Sequence, residues 1–135
     1  PTEALNQGLE VSRVCLDAEE QPVQTVRQGD VITVRITARA YGGPVSDVAL
    51  VHLLPGGFEH VLAEIPDMTG AAGGTMDRRE DRMLFFLPLD TEQYTVTYKI
   101  RAVNRGTFLL PPVQAEAMYN RSLRAHSSTG VIVVE

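Results

Sequence analysis

Tryptophan is absent from this 135-residue chain, cysteine occurs once, and four Tyr and four Phe supply all the aromatic rings. Each scarcity excludes something. The lone thiol, Cys15, cannot close an intrachain disulfide, and a buried, inert thiol is the default reading of it. A carbohydrate-recognition module is expected to expose aromatic rings, and a chain without Trp is poorly furnished for that. The three histidines, His52, His60 and His126, have no second His, Cys or carboxylate at metal-ligand spacing, so structural or solvent-exposed roles are expected and no metal or other cofactor is called. No run approaches 18 apolar residues, so no helical membrane span is expected. The opening PTEALNQG has neither the basic nor the apolar region of a signal peptide. Basic residues are also too few for a nucleic-acid partner, since the net charge is −5 and phosphate binding needs clustered Lys and Arg.

Catalytic constellations are missing as well. There is no Gly-x-Ser-x-Gly elbow, and GAAGGT (70–75) lacks the Lys that would follow in a phosphate loop. Asp77, Glu80 and Asp81 alternate with Arg78, Arg79 and Arg82. A guanidinium neighbour keeps a carboxylate ionised and unfit as a general acid, so a surface ion-pair network bracing a turn is expected. CLDAEEQ (15–21) superficially matches the Cys-x-Glu-Gln box of a thioester. That ring closes only when Cys and Gln are three positions apart, whereas Cys15 and Gln21 are six apart on an extended segment. Asn120–Arg121–Ser122 has the form of a glycosylation sequon, at a frequency that chance explains. No catalytic residue is assigned.

What is present is period-two alternation. In DVITVRITARAY (30–41), Ile32, Val34, Ile36, Ala38 and Ala40 share one face, with Thr and Arg on the other. QYTVTYKIRAV (93–103) repeats the design with Tyr94, Val96, Tyr98, Ile100 and Ala102. One dry face and one wet face fit an antiparallel sheet. VSDVALVHLLP (45–55) is apolar on both faces, as an interior strand would be. GLEVSRVCL (8–16) changes phase near Ser12, which predicts a bulge. PVQTV (22–26), RMLFFLPL (82–89) and GVIVV (130–134) complete about seven strands, with turns at YGGP, LPGG, GAAGG, NRG and STG. TMDRREDR (75–82) suits one or two helical turns, and VQAEAMY (113–119) reads as extended. With 44% apolar and 21% charged residues, the chain is expected to form one domain over 1–135, an all-β, immunoglobulin-like antiparallel sandwich. Because it starts without Met, it is read as a piece cut from something longer.

One stretch stays unexplained by periodicity: GTFLLPPVQAEAMYNRSLRA (106–125). Its LPPVQAEAMYNRSLRAHS (110–127), with LLPGGFE (53–59), REDRMLFF (79–86) and YKIRAVNRGTF (98–108), resembles the last, receptor-binding-like domain of bacterial alpha-2-macroglobulins. These words fall in the expected order from about Gly8 to the end. The resemblance implies a macroglobulin-type sandwich without catalytic activity, within a large protease trap exported to the periplasm and tethered to the inner membrane as a lipoprotein. It implies other domains of the same chain as partners, above all a helical thioester domain, and target proteases engaged through the whole molecule, with no direct membrane insertion by this domain. It also implies an interdomain, thioester-shielding contact at Met118 and Tyr119, where the parent carries a thioester. A flat apolar lid with one hydrogen-bonding tip suits the exclusion of water, and Met with Tyr supplies it. The alternative is a free-standing sandwich that binds a protein or cell-envelope partner. A small hydrolase is disfavoured for want of a nucleophile–base pair.

Overall fold

The computed structural model describes residues 3–69 and 73–135. Along the chain the strands are β1 (Leu5–Gln7), β2 (Leu9–Leu16), β3 (Thr25–Val26), β4 (Val31–Ala40), β5 (Val45–Leu53), β6 (Phe58–His60), β7 (Asp67–Thr69), β8 (Thr75–Arg79), β9 (Arg82–Leu89), β10 (Tyr94–Ala102), β11 (Gly106–Leu110), β12 (Val113–Ala117), β13 (Asn120–His126) and β14 (Gly130–Val134). No helix occurs among the described residues. One sheet runs β1-β13-β12-β5-β9-β8. The facing sheet runs β2-β4-β10-β6, with β7 also on β10, and a third runs β11-β14-β3. All ladders are antiparallel except β14 with β3, which is parallel.

The architecture is the expected all-β, immunoglobulin-like sandwich, divided into more and shorter strands than the seven legible in the sequence. The alternating residues of β4 and β10 form its centre. Ile32, Val34, Ile36, Ala38 and Ala40 are buried, as are Tyr94, Val96, Tyr98, Ile100 and Ala102, and the two strands pair in continuous register from Tyr94↔Ala38 to Arg101↔Val31. Val48, Leu50 and His52 of β5, with Met83, Phe85, Leu87 and Leu89 of β9, close the core from the other sheet. β5 lies between β12 and β9, the interior place that its two apolar faces predict.

Several expectations are corrected. The 75–82 segment is a β-hairpin: Arg79 pairs with Arg82 across Glu80–Asp81. Local composition there allows either state, and the cross-strand partner β9 decides it. The ion pairs do brace this turn, with Arg79 on Asp77 at 2.9 Å and Arg82 on Asp81 at 3.0 Å. No bulge interrupts β2, whose pairing with β4 is continuous from Leu9↔Ala40 to Leu16↔Thr33. The phase change was an illusion produced by Arg13, a charged residue on the inward face between Val11 and Cys15. The Gly70–Ala72 part of the expected GAAGG turn lies outside the described residues.

Two glycines are fixed by one ring. Phe108 lies over the Gly57 and Gly106 backbones. A Cβ on Gly57 (φ +83) would come within 2.5 Å of the ring, and one on Gly106 (φ +148) within 3.0 Å. Both conformations also disfavour L side chains. Gly106→Val is therefore expected to cost about 1–3 kcal/mol, lowering Tm by roughly 4 °C per kcal/mol for a domain of this size. An unchanged melting curve would contradict the packing of Phe108.

Candidate interaction site at the β12–β13 hairpin

The unexplained stretch begins where β11 ends. Pro111 and Pro112 have no N–H to give a ladder, and the chain passes there from the three-stranded sheet to the six-stranded one. Regular pairing resumes at Val113, opposite His52. The crossover is tied down by two residues, Ser127 and Arg13. Val113 N–H donates to Ser127 Oγ at 2.8 Å, and Ser127 N–H donates to the Val113 carbonyl at 2.9 Å. The Arg13 guanidinium reaches from β2 to donate to the Pro111 carbonyl and, at 3.1 Å, to the Ser128 carbonyl. A carbonyl next to a proline break has lost its ladder donor, and a buried acceptor without a partner is costly. This explains why a cation occupies a position on the otherwise apolar inward face of β2.

From this base β12 runs between β5 and β13 to a two-residue turn formed by Met118 and Tyr119, with Ala117 opposite Asn120. Among the described residues only Glu20 is a non-glycine with positive φ, so the turn lacks the left-handed conformations of the common tight hairpins. Turns built from right-handed residues splay their strands. Here β13 accommodates the mismatch with a register shift, since Glu116 pairs with Arg124 while Ala117 pairs with Asn120. The tip is held by its backbone. Met118 N–H donates to the Asp47 carbonyl at 2.8 Å, at the place where β5 itself shifts register between Val45 and Val48. Beyond the turn, Asn120 Oδ1 accepts from Ser122 N–H (3.2 Å) and Ser122 Oγ–H (2.6 Å).

The side chains on this tip point away from the sandwich. Tyr119 is 86% exposed and Met118 48%. Neither belongs to the buried core.

Behind the crossover lies a buried polar group of three elements. His52 is fully buried, with Nδ1 hydrogen-bonded to the Tyr98 hydroxyl and Nε2 without a hydrogen-bond partner. Burial pushes its pKa down to about 3, and the Arg13 cation and His60 push the same way, while the nearby Pro111 carbonyl pulls weakly upward. Burial raises Tyr98 well above its usual value, with Cys15 adding to the rise and Arg13 opposing it. Burial also raises the Cys15 thiol, against the pull of Arg13. Cys15 is free and buried, as its sequence context suggests. His60 and His126 lie on β6 and β13. Among the described residues, no three His, Cys, Asp or Glu side chains are grouped to hold a metal ion.

With this geometry in view, comparison with known proteins is specific. A family profile for the bacterial alpha-2-macroglobulin MG10 domain matches residues 8–121. The chain is 41% identical over 130 residues to an alpha-2-macroglobulin of Pasteurella multocida, covering 94% of this chain and 7% of that protein. It superposes on a crystal structure of a Salmonella alpha-2-macroglobulin mutant with a TM-score of 0.82 at 26% identity, over 98% of this chain and 9% of that one. Native Escherichia coli alpha-2-macroglobulin, from its MG7 domain to the C-terminus, gives 0.84 at 23% identity, over 98% and 24%. The fold is thus that of a macroglobulin domain. The chain belongs to the bacterial alpha-2-macroglobulin MG10 domain family.

Two outcomes test the crossover. Arg13→Leu leaves the Pro111 carbonyl without its donor and should cost about 1–3 kcal/mol in urea unfolding, whereas Arg35→Leu, on the wet face of β4, should cost under about 0.5 kcal/mol; equal costs would contradict the assigned role. His52 has a folded pKa below that of an unfolded His, so its stabilising contribution is complete above about pH 6.5 and is lost as pH falls towards 3. Unfolding free energy should drop by about 1.4 kcal/mol per pH unit below 6.5, and His52→Gln should flatten that slope. A wild-type profile level from pH 7 to 5 would contradict it.

Proposed function

We propose that the chain is a non-catalytic interaction domain of an alpha-2-macroglobulin-type protease trap, and that its Met118–Tyr119 tip packs on the helical thioester domain of the parent and keeps water from the thioester where one is present. The observation that carries this reading is the tip itself: a Tyr 86% exposed beside a half-exposed Met, on a turn whose backbone is bonded to β5. A stiff hairpin loses little entropy on docking, and an amphipathic ring gives apolar cover with a polar edge. Family membership supports a many-domain context, since the chain spans 7% of the Pasteurella relative. A Salmonella relative has been crystallised after reaction with methylamine, a small nucleophile of the kind that attacks a thioester. The periplasmic, lipoprotein-anchored setting of the parent is part of the same proposal and rests on the family resemblance.

In the intact, uncleaved parent, Met118→Ala/Tyr119→Ala should release free thiol several-fold faster than wild type in the presence of methylamine. The substituted domain should keep its melting temperature, because exposed side chains contribute less than about 0.5 kcal/mol. Equal thiol-release rates would overturn the shielding role.

A further inference from the structure

Apart from Tyr119, the most exposed large apolar side chains are Ile65 (85%) and Leu62 (74%). Both lie on the connection between β6 and β7, at the sandwich edge formed by β6, β7 and β8. The β12–β13 hairpin is on the other side of β5 and β9 from that edge. The connection is held in place. Val61 N–H donates to the Lys99 carbonyl (3.3 Å) and Glu64 N–H to the Val61 carbonyl (3.1 Å). Arg78 of β8 donates to the carbonyls of Glu64 (3.0 Å) and Leu62 (3.4 Å), so this loop joins the edges of the two sheets. The Glu64 carboxylate pairs with Lys99 at 3.6 Å. Polar groups of the loop face the sandwich or one another, and the two aliphatic side chains face outward.

We infer that Leu62 and Ile65 form a second interdomain contact, an anchor that fits an apolar recess on a neighbouring domain of the same long chain. Scattered single apolar residues on a surface need no explanation, but two on one braced loop form the kind of rigid aliphatic anchor that docking favours. The size of the patch chooses the occupant. Two side chains fall far below the roughly 1,000 Å² that a stable interface between free partners needs, so a second copy or an unlinked protein would not be held by them. A covalently linked neighbour presents its surface at an effective concentration on the order of millimolar, where a small anchor is sufficient. The curated and solved relatives supply that neighbour: the chain spans 7% of the Pasteurella protein and 9% of the Salmonella chain. The inference does not depend on a thioester, nor on the role of Tyr119.

The test uses the full-length parent. Leu62→Cys and, separately, Ile65→Cys are labelled with a maleimide, and modification of the loop peptide is followed by mass spectrometry in native buffer and in urea. Both positions are exposed, so neither substitution should disturb folding. Native labelling at least ten-fold slower than in urea, and independent of protein concentration, is the expected result. Rates within two-fold of each other at both positions would overturn the contact. Protection that appears only as protein concentration rises would overturn it in favour of a second copy.

Discussion

Two consecutive prolines deprive a backbone of hydrogen-bond donors for two residues, and in this sandwich that gap governs the arrangement of everything after it. Pro111 and Pro112 end β11 on one sheet and let β12 start on another. The acceptors left over must be satisfied from elsewhere: the Arg13 guanidinium donates to the Pro111 carbonyl and the Ser127 N–H to the Val113 carbonyl. An arginine placed among Leu9, Val11 and Cys15 would be a defect in an uninterrupted sheet. Here it is the donor that the crossover lacks.

The same gap shapes the polar interior. Arg13, His52, Tyr98 and Cys15 come from β2, β5 and β10 and meet behind the crossover. Burial disfavours a charged ring, and the guanidinium already present adds to this, so the His52 ring is held neutral. His52 therefore acts as a packing element with one polar contact to Tyr98, and it leaves the domain with an acid-labile point at its centre. The hairpin is built outward from this anchored base. Its tip is bonded to β5 at Met118, so the exposed Met–Tyr pair is presented by a fixed backbone.

How much of this was legible in the sequence depended on whether a signal was local. The strict alternation of 30–41 and 93–103 specified β4 and β10 face by face, because each residue's environment is set by the pleat alone. Elements whose state is decided by a distant partner were harder. TMDRREDR looked helical because its charges suit either state, and only pairing with β9 makes it a strand. NRSLRAH (120–126) has no clean period, since the register shift beside β12 breaks its alternation, so β13 went unseen. Arg13 mimicked a bulge because its justification, the Pro111 carbonyl, lies almost a hundred residues away. Met118–Tyr119 carries no Gly, Asn or Asp to mark a turn. Its candidacy came from resemblance, and the structure supplies the exposure and the anchoring.

The central claim is that Tyr119 faces another domain of its own chain. The most direct measurement is site-specific photo-crosslinking. A benzophenone amino acid replaces Tyr119 in the uncleaved parent, and the cross-linked peptides are mapped by mass spectrometry. The account predicts an intramolecular cross-link to a peptide outside residues 1–135. Cross-links confined to residues 1–135, or none above the level given by the same probe at exposed Thr107, would contradict it.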